Sequence, residues 1–539
     1  MKKKIQQLIQ LAVKSLYGID FDVEKIRVDY PPDGMGDYAT NIAMMLAKEV
    51  KESPMEAAEK IKGSTLASAR VEPLLMFKKI EVVKPGFINF WLSDRTLQLV
   101  VVKINREKSK FGDSDAGQGK KIHMDFVSAN PTGPVHIGNA RGGPLGDTLA
   151  NVFEKAGYEP FREYYINDAG NQVEVLGHSI LGDKEAQYKG EYIRELSSEL
   201  KTQNSKLWNG DVRKVGQEGV KIIIEEYIKP SMEKFGIKFD NWFSEKELQK
   251  SGKAEEVINT LRERDFVYEK GGALWFKSTR FGDDKDRVVV KSTGEKTYFG
   301  SDIAYHKNRL DQGFDRLINV WGADHHGDVV RVKGALEALG YKNKLDVILT
   351  QLVRVIKNGR EMKMSKRAGT YVSIDDLIDE VGKDATRFFF LMHSADTHMN
   401  FDLDLAKERS EKNPVYYVQY AHARICSILR KAEGILPTFN IRNVPTFNVR
   451  IHAKEYALMF ELLKFPDLVE EIAGSYEVHH LSRYAMDVAD KFHSFYDECR
   501  VIDEDNLELT AARLELIKAV KIVLAEVLRL MGVSAPEKM

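Results

Sequence analysis

The fold class follows from one stretch, Ile122-His-Met-Asp-Phe-Val-Ser-Ala-Asn-Pro-Thr-Gly-Pro-Val-His136-Ile-Gly138-Asn139. Its first six residues are typical of a buried strand, and the Pro/Gly loop after them leads to a predicted helix from Asp147 to Ala156. Other predicted strands alternate with helices further along the chain, at Arg162–Ile166, Arg316–Val320 and Leu345–Ile356. Strands that alternate with helices predict a parallel, doubly wound α/β sheet.

The chain divides into several units by composition and periodicity. Residues 1–105 predict a small α+β domain, and the polar, Gly-rich stretch 106–120 predicts a linker. The sheet domain is assigned to 121–400, where a charged helix and short strands at about 170–290 indicate an insertion. Residues 401–539 have helical periodicity almost throughout, which predicts a helical bundle.

Composition limits the class of protein. The 539 residues include 80 basic and 81 acidic side chains, and a net charge of −1 by itself argues against a nucleic-acid partner. No apolar run approaches the ~18 residues that a membrane span requires. Two cysteines, Cys426 and Cys499, are too few for a disulfide framework and favour a reducing, cytoplasmic location. Gln and Lys residues interrupt the apolar stretch after Met1, which favours an amphipathic first helix over a signal peptide.

The first motif, His136-Ile-Gly138-Asn139, follows the first predicted strand of the sheet. In a doubly wound sheet this position is the ligand crevice, where a helix start offers N–H groups to a phosphate. Gly138 lets a nucleotide lie against the backbone, and His136 can donate to a phosphate oxygen. A turn whose histidine only packs would give the same pattern, so this motif needs independent support.

The second motif, Lys363-Met-Ser365-Lys366, lies in a basic loop after the last predicted strand of the sheet. Two lysines around Met-Ser form a mobile clamp for negative charge, although most lysine-rich loops are solvated turns. Ser373 and Asp376 then have the spacing of a helix cap. Because the two motifs occur in this order and in matching contexts, together they predict a nucleotide site.

The pair of motifs resembles the signatures of the class I aminoacyl-tRNA synthetases. Over essentially its whole length the chain is similar to the arginyl-tRNA synthetase family. The segments that carry this similarity are Gly36-Asp-Tyr-Ala-Thr-Asn, Asp125-Phe-Val-Ser-Ala-Asn-Pro-Thr-Gly-Pro, Glu163-Tyr-Tyr-Ile-Asn-Asp-Ala-Gly-Asn-Gln, Trp321-Gly-Ala-Asp-His-His-Gly, Tyr416-Tyr-Val-Gln-Tyr-Ala-His-Ala-Arg and Val533-Ser-Ala-Pro-Glu-Lys-Met. The resemblance implies a class I Rossmann-type catalytic domain, an N-terminal domain that contacts the tRNA elbow, and a C-terminal anticodon-binding bundle.

The resemblance implies an arginine–tRNA ligase. Such an enzyme activates L-arginine with ATP to arginyl-adenylate, with Mg²⁺ on the phosphates, and transfers arginine to the 3′-terminal ribose of tRNA(Arg). The implied catalytic residues are His136, Lys363 and Lys366. The residues implied to bind ATP are these three together with Gly138, Asn139, Gly322, Asp324 and Ser365. For Asp324 the resemblance leaves two roles open, binding the ATP ribose or binding arginine.

An arginine substrate requires acceptors for a planar guanidinium with five N–H donors, which carboxylates meet best. Several aspartates stand at predicted crevice positions, although each taken singly could be a capping or surface residue. The resemblance implies that Ser128 and Asn130 hold the α-groups of arginine, while Asp125 and Asp302 face its guanidinium. It also implies that Tyr298 packs or hydrogen bonds beside them.

Two positions depart from the family pattern. Asn139 replaces the second histidine of the first signature and carries no charge, and Asp125 stands where the family often has glutamate, which shortens the reach to substrate. The resemblance further implies that Tyr417, Tyr420 and Met539 contact anticodon-loop bases, because aromatic side chains stack on splayed bases. Without the resemblance, a tyrosine pair at i, i+3 would be assigned to the core.

Metals, partners and assembly are predicted as follows. No zinc is expected, because both cysteines lie in the helical tail and His325-His326 lack a third ligand at a suitable spacing. The implied partners are tRNA(Arg), L-arginine and ATP, with no membrane, and the family expectation is a monomer. In a chain of nearly zero net charge, tRNA binding would depend on local basic patches and aromatic stacking.

Two other functions remain open from the sequence alone. One is a nucleotidylyltransferase that uses a His-x-Gly-x site on a small molecule, and the other is a paralogue that binds tRNA without catalysis. The C-terminal bundle argues against the first, since such enzymes rarely need one. The presence of His136, Lys363 and Lys366 argues against the second.

Overall fold

The computed structural model describes residues 1–32, 34–67, 75–203, 211–362, 373–435 and 450–539. The N-terminal unit, residues 2–107, contains α1 (Lys2–Tyr17), β1 (Tyr38–Thr40), α2 (Ile42–Val50), α3 (Pro54–Ala67), β2 (Phe77–Val83), β3 (Phe87–Leu92) and α4 (Asp94–Glu107). Its strands form an antiparallel sheet in the order β1-β3-β2. The first helix is amphipathic, as predicted, because Ile5, Ile9 and Val13 are buried on one face.

The sheet region is the largest part of the chain. Its elements are β4 (Lys121–Asp125), α5 (Ile137–Ala140), α6 (Gly142–Lys155), β5 (Glu159–Ile166), α7 (Asn171–Leu181), α8 (Glu191–Gln203), α9 (Val212–Ile222), α10 (Lys229–Lys234), β6 (Asn241–Ser244), α11 (Glu245–Lys250), α12 (Lys253–Glu263), β7 (Val267–Lys270), β8 (Ala273–Phe276), β9 (Arg287–Val290), α13 (Tyr298–Asp311), β10 (Arg316–Gly322), α14 (His326–Ala338), β11 (Leu345–Thr350), β12 (Val353–Lys357), β13 (Arg360–Glu361), α15 (Ile374–Val381), α16 (Lys383–Leu391), β14 (Met399–Asp402) and α17 (Leu403–Lys407). A π-helical turn, Ile223–Ile228, joins α9 to α10.

The central sheet has five parallel strands in the order β11-β10-β4-β5-β6, which confirms the predicted parallel α/β fold. Two smaller sheets lie beside it, β7-β8-β9 and β13-β12-β14. Within the stretch expected to be an insertion, β6 pairs in parallel with β5, so this part of 170–290 belongs to the central sheet. The predicted strand Leu345–Ile356 is two strands in different sheets, because the chain turns between Thr350 and Val353.

The start of α6 and the predicted linker also differ from expectation. α6 begins at Gly142, five residues before the predicted start, because its glycines allow close packing: a Cβ on Gly146 would lie 2.3 Å from Phe126. Within 106–120, Phe111 is buried and its ring stacks on Phe465 with centroids 6.2 Å apart. Lys155 Nζ donates to the Ser109 carbonyl at 2.8 Å. The polar stretch is therefore packed against Lys155 of the sheet region and against Phe465 of the C-terminal helices, instead of extending into solvent.

The C-terminal region is a helical bundle, as predicted. Its helices are α18 (Pro414–Ile435), α19 (Ala453–Leu463), α20 (Phe465–Ser475), α21 (His479–Glu498) and α22 (Leu507–Leu530). Buried Arg387 of α16 fixes the bundle to the sheet region, since Nε donates to the Met531 carbonyl at 2.8 Å and Nη2 pairs with Asp147 of α6. Tyr456 of α19 donates to buried Asp37 of the N-terminal unit. In the part of the chain that the structure describes, no helix is long and apolar enough to span a membrane.

Candidate active site

The carboxyl end of β4 is the switch point of the central sheet, because β5 lies on one side of this strand and β10 on the other. In doubly wound sheets such a point opens a crevice. The backbone leaves β4 through Val127 and Ser128, whose φ angles are +67° and +37°. A β-branched residue rarely adopts a positive φ, so this turn is held by its surroundings.

Asp125, the last residue of β4, is buried in the crevice. Ser128 Oγ donates to its carboxyl group, and the same Oγ accepts from the Tyr165 N–H at 2.9 Å. Burial raises the pKa of Asp125 to about 7, although the hydrogen bond from Ser128 opposes that shift. The strained turn therefore brings Ser128 onto the carboxylate that the sequence assigned to arginine.

Tyr298 and Asp302 lie one turn apart at the start of α13, on the same face of the helix. Thr297 caps this helix by accepting from the Gly300 N–H at 3.2 Å. Burial, followed by the charges of Glu245 and Asp328, raises the pKa of Asp302 to about 8. Asp125 adds to the same repulsion, so the two predicted carboxylates share one crevice.

Glu245 is a further carboxylate of this crevice that the sequence did not indicate. It is the first residue of α11, directly after β6, and is 2% exposed. Gln249 Nε2 donates to its Oε1 at 3.1 Å, and Ser301 and Tyr165 also hydrogen bond to it. Burial raises the pKa of Glu245. No motif surrounds this residue, and it reaches the crevice only because β6 joins the central sheet.

A buried ion pair lies behind the crevice. Glu163 of β5 is fully buried, and its Oε2 is paired with Arg309 of α13. Its Oε1 accepts from His123 Nε2 at 2.9 Å and from Tyr305 Oη at 2.7 Å, while Asn241 Nδ2 donates to Oε2 at 2.6 Å. Burial alone would raise the pKa of Glu163, but these hydrogen bonds and the charge of Arg309 outweigh it and lower the pKa.

His306 connects the ion pair to the crevice wall. Its Nδ1 lies 2.7 Å from the Asp302 carbonyl, which can only accept, so Nδ1 carries the proton. Asn319 Nδ2 donates to Nε2 at 2.7 Å, and Asn319 is the register partner of Asp125. Burial lowers the pKa of His306 to about 4, so the ring is neutral at pH 7.

The remaining predicted arginine and ATP residues lie around the same opening. The amides of Asn130 and Asn167 meet at 3.1 Å, and Asn167 turns its nitrogen to Glu245 Oε2 at 2.9 Å. Gly322 ends β10, and Asp324 follows it with its side chain 82% exposed and 3.7 Å from His325 Nε2. Asp324 therefore lies at the mouth of the crevice, away from its buried carboxylates.

His136 caps α5, the short helix that follows the Pro/Gly loop. Its Nδ1 accepts from the Gly138 N–H at 3.0 Å, so in the neutral ring the proton is on Nε2. Asn139, the residue after Gly138, is exposed. The structure thus places His136, Gly138 and Asn139 together at one helix start.

Lys363 and Lys366, which were predicted to be catalytic, lie outside the described residues together with Ser365. The residue that follows this segment is placed: Ser373 pairs with His136 in an antiparallel bridge, and Ile374 N–H donates to the Val135 carbonyl at 2.9 Å. Ser373 also forms the predicted capping box at the start of α15. The chain directly after the basic loop therefore lies beside the first motif.

Tyr417 and Tyr420 line a groove of about 690 Å³ on the helical bundle. The Tyr417 ring lies 4.9 Å from the ring of His493, and Tyr420 stacks on Tyr416 with centroids 6.1 Å apart. Met539 lines a neighbouring cavity that also includes Tyr416. Both tyrosines are half-buried, which differs from the fully buried position expected of core residues.

Over the described ranges, no group of three or more His, Cys, Asp or Glu residues is arranged to hold a metal ion. Cys426 and Cys499 are buried and unpaired with each other. His325 instead pairs with Asp328 at 2.9 Å, and this hydrogen bond raises its pKa.

Three family models match this sequence. The arginyl tRNA synthetase N terminal domain matches residues 3–92, the class I (R) tRNA synthetase catalytic domain matches 100–207 and 183–404, and the DALR anticodon binding domain matches 418–539. The chain belongs to the arginyl-tRNA synthetase family. The resemblance of the two motifs and of the quoted segments is thereby confirmed.

Individual members of the arginyl-tRNA synthetase family match the chain from end to end. It is 44% identical over 557 residues to the arginine–tRNA ligase of Bacillus pumilus, covering 99% of this chain and 98% of the relative. It is also 44% identical over 567 residues to that of Bacillus subtilis, covering 100% and 99%. The arginyl-tRNA synthetase structure of Thermus thermophilus superposes with a TM-score of 0.80 at 22% identity over the full length of both chains, which shows a shared fold.

Proposed function

We propose that this chain is an arginine–tRNA ligase that activates L-arginine with ATP and transfers it to tRNA(Arg). Its membership of the arginyl-tRNA synthetase family supports the activity. The structural observation that carries the proposal is the convergence at the end of β4. There His136 and Ser373, the residue that follows the basic loop, lie on one side, and the carboxylates Asp125, Asp302 and Glu245 lie on the other, with Asp125 and Glu245 buried and Asp302 half-buried.

Arginine recognition is assigned to the carboxylates. Burial raises the pKa of Asp125 to about 7 and that of Asp302 to about 8, and neighbouring carboxylate charges add to the shift at Asp302. A guanidinium supplies a cation and a planar set of donors to these groups. Ser128 and Asn130 would hold the α-groups, with Tyr298 beside the side chain. Neutral or shorter amino acids would leave these buried groups unpaired, which gives selectivity without an editing site.

Adenylate formation is assigned to the two motifs. The arginine carboxylate attacks the α-phosphorus of ATP in line, so that an O–P bond forms and the bond to pyrophosphate breaks. His136, Lys363 and Lys366 would stabilise the negative charge that develops, and catalysis consists of this stabilisation and of positioning. Gly138, Asn139, Gly322, Asp324 and Ser365 are the further proposed ATP contacts. Mg²⁺ enters with ATP as part of the substrate.

The second step transfers arginine to RNA. A hydroxyl of the 3′-terminal ribose, the 2′-OH in class I enzymes, attacks the adenylate carbonyl and AMP leaves, with no covalent enzyme intermediate. The groove with Tyr417 and Tyr420, and the adjacent Met539, would hold anticodon-loop bases by stacking. Residues 1–105 would contact the tRNA elbow.

The proposed organisation keeps the boundaries expected from the sequence. Residues 1–105 form the N-terminal domain, 106–120 the connection, 121–400 the catalytic domain and 401–539 the anticodon-binding domain. We further propose a cytoplasmic monomer. Its mass in solution, measured by light scattering with and without tRNA, tests the monomer directly.

ATP–pyrophosphate exchange tests the function. The assay uses each amino acid in turn, with and without total tRNA, and the expected result is exchange that depends on arginine. Exchange with another amino acid, or with none, would contradict the proposal, and tRNA binding without exchange would favour a non-catalytic paralogue.

Asp302→Asn tests the pocket assignment within this function. It should raise the KM for arginine sharply with little effect on the KM for ATP, because only a guanidinium needs the lost charge. An unchanged KM for arginine would remove Asp302 from the pocket.

A further inference from the structure

A second cavity, of about 240 Å³, opens beside the arginine crevice. Its walls come from the segment before α7, from α9 and from α11, and they include Asp168, Gly170, Arg213, Lys246 and Lys250. We call this cavity the basic pocket, because three cationic side chains face one carboxylate. None of the proposed catalytic or arginine-binding residues lines it.

Among the described residues, the cations of the basic pocket are not paired with a carboxylate. No carboxylate oxygen in these ranges lies within 4.0 Å of the side-chain nitrogens of Arg213, Lys246 or Lys250. The one carboxylate of the pocket, Asp168, is engaged elsewhere, since it accepts from Ser244 Oγ at 2.6 Å and from the Lys246 N–H at 2.9 Å. Glu295 feels the charge of Arg213 but is paired with Lys291 at 2.8 Å. The pocket is therefore built to receive an anion.

The N-terminus of α7 adds to the positive electrostatic potential of the basic pocket. Gly170 is its N-cap residue, with φ +85°, and no side chain caps this 11-residue helix. The first N–H groups of a helix and its dipole attract anions. Gly170 and Val173, in the first turn, both line the basic pocket.

The basic pocket lies away from the proposed ATP residues along the sheet. His136, which would face the phosphates, follows β4, and Gly322 and Asp324 follow β10, whereas Ser244 and Lys246 follow β6. In the order β10-β4-β5-β6 these ends are two and three strands from β6, or about 10 and 14 Å at the usual strand spacing. An anion in the basic pocket is therefore assigned to another substrate.

The pocket shares a wall with the arginine crevice. A Cβ on Gly170 would lie 2.9 Å from Tyr298 Oη, and Gln249, which lines the pocket, donates to Glu245 at 3.1 Å. The terminal ribose of tRNA must reach arginine in that crevice. The phosphates of the nucleotides that precede this ribose must then pass close to the rim of the arginine crevice.

We propose that the basic pocket binds a backbone phosphate of the 3′ strand of tRNA and so positions the terminal ribose for transfer. The inference rests on the proposed function. Its ligand is a phosphodiester, held by Arg213, Lys246 and Lys250 together with the N-terminus of α7. A free phosphate or pyrophosphate has the same chemistry, and the experiment separates these sources.

The test uses the full-length enzyme with Arg213→Gln, Lys250→Gln and the double variant. The matched control is Lys214→Gln, which changes the next residue of α9, where Lys214 is paired with Asp211 at 3.0 Å outside the pocket. The probes are intact tRNA(Arg) and the same RNA without its last four nucleotides. Dissociation constants are measured between about 50 and 200 mM salt.

With intact tRNA, each pocket variant should lower the slope of log affinity against log salt by about 0.7, because one contact to single-stranded phosphate is lost. The control should keep the wild-type slope, and with shortened tRNA all forms should bind alike. Unchanged slopes, an effect that persists with shortened tRNA, or a raised KM for ATP with unchanged tRNA affinity would each overturn the inference. A wild-type enzyme that fails to charge tRNA with arginine would instead overturn the proposed function.

Discussion

Replacing Glu163 with glutamine should destabilise the floor of the arginine crevice. The substitution keeps the shape of the side chain and removes only its charge. In the structure each carboxylate oxygen of Glu163 accepts from two donors, Oε1 from His123 and Tyr305 and Oε2 from Asn241 and Arg309. The amide nitrogen of glutamine can accept from neither pair, so two hydrogen bonds are lost in either orientation. The guanidinium of Arg309 is then left buried without its counter-charge.

The size of the effect follows from burial. Glu163 and Arg309 have side chains 0% and 6% exposed. Two unit charges about 4 Å apart at an effective dielectric constant of about 20 interact by about 4 kcal/mol. Removing one partner of a buried pair costs about 3–5 kcal/mol, in agreement with that estimate. At 1.4 kcal/mol for each factor of ten, local opening should become about 100- to 4,000-fold more frequent.

Hydrogen exchange followed by mass spectrometry is the appropriate assay. A chain of several units need not unfold in one step, whereas exchange reports the opening of individual segments. Peptides that cover β5 and α13 should exchange faster in Glu163→Gln. The control is Glu218→Gln, which breaks the exposed pair with Lys221 and should change exchange by less than about 1 kcal/mol.

A double-mutant cycle distinguishes lost charge from lost packing. In Glu163→Gln/Arg309→Met no buried charge is left unpaired, so the double variant should be more stable than the sum of the single variants predicts. Acceleration of less than tenfold in Glu163→Gln would refute the reasoning. So would a double variant whose loss equals the sum of the two single losses.

Three further outcomes are expected. Because the raised pKa values of Asp125 and Asp302, about 7 and about 8, require proton loss when a guanidinium binds, arginine affinity should rise with pH. The rise should approach about a hundredfold per pH unit below pH 7, where both groups lose a proton, fall to about tenfold per unit between pH 7 and 8, and level off above pH 8. Calorimetry in two buffers of different ionisation enthalpy should detect the released protons, and a flat pH profile would contradict the assignment. Lys366→Ala should slow adenylate formation in single-turnover assays far more than it weakens arginine binding, and equal losses would exclude the clamp role. Tyr456→Phe should weaken attachment of the N-terminal unit by about 1–3 kcal/mol, because buried Asp37 loses a donor, and unchanged exchange in β3 would argue otherwise.

The sequence predicts the parts of the fold that have a clear hydrophobic pattern. The strands β4, β5 and β10 and the helical bundle are found where expected, because each has either a run of buried apolar residues or an apolar stripe at helical spacing. β6 has neither pattern: all four residues of Asn241–Ser244 are half-buried, and nothing in their order indicates a sheet. Likewise the polar composition of 106–120 hides Phe111, the one ring that fixes this stretch to the bundle.

The site is predicted to the extent that its residues lie next to one another in the chain. Asp125, Ser128 and His136 belong to one stretch, so the strand and loop that carry them predict their meeting. Glu245 and Arg309 reach the crevice from elements distant in sequence, and no local pattern marks them. Glu163 lies within a segment that carried the family resemblance, yet its role as partner of Arg309 depends on the packing of β5 against α13.

The net charge of −1 by itself argues against a nucleic-acid partner, and the structure explains why that argument fails. The arginine crevice concentrates carboxylates whose pKa values are raised by burial and, at Asp302, by neighbouring carboxylate charges, and the basic pocket beside it concentrates cations that have no carboxylate partner among the described residues. The opposite charges of two sites that share one wall cancel in the net charge of the chain. Each local field nevertheless stays strong at short range, because salt screens it only beyond about 8–10 Å. A cationic amino acid and an anionic RNA strand must approach the same point from adjacent sides. A net charge near zero over the whole chain is therefore compatible with strong local fields of both signs.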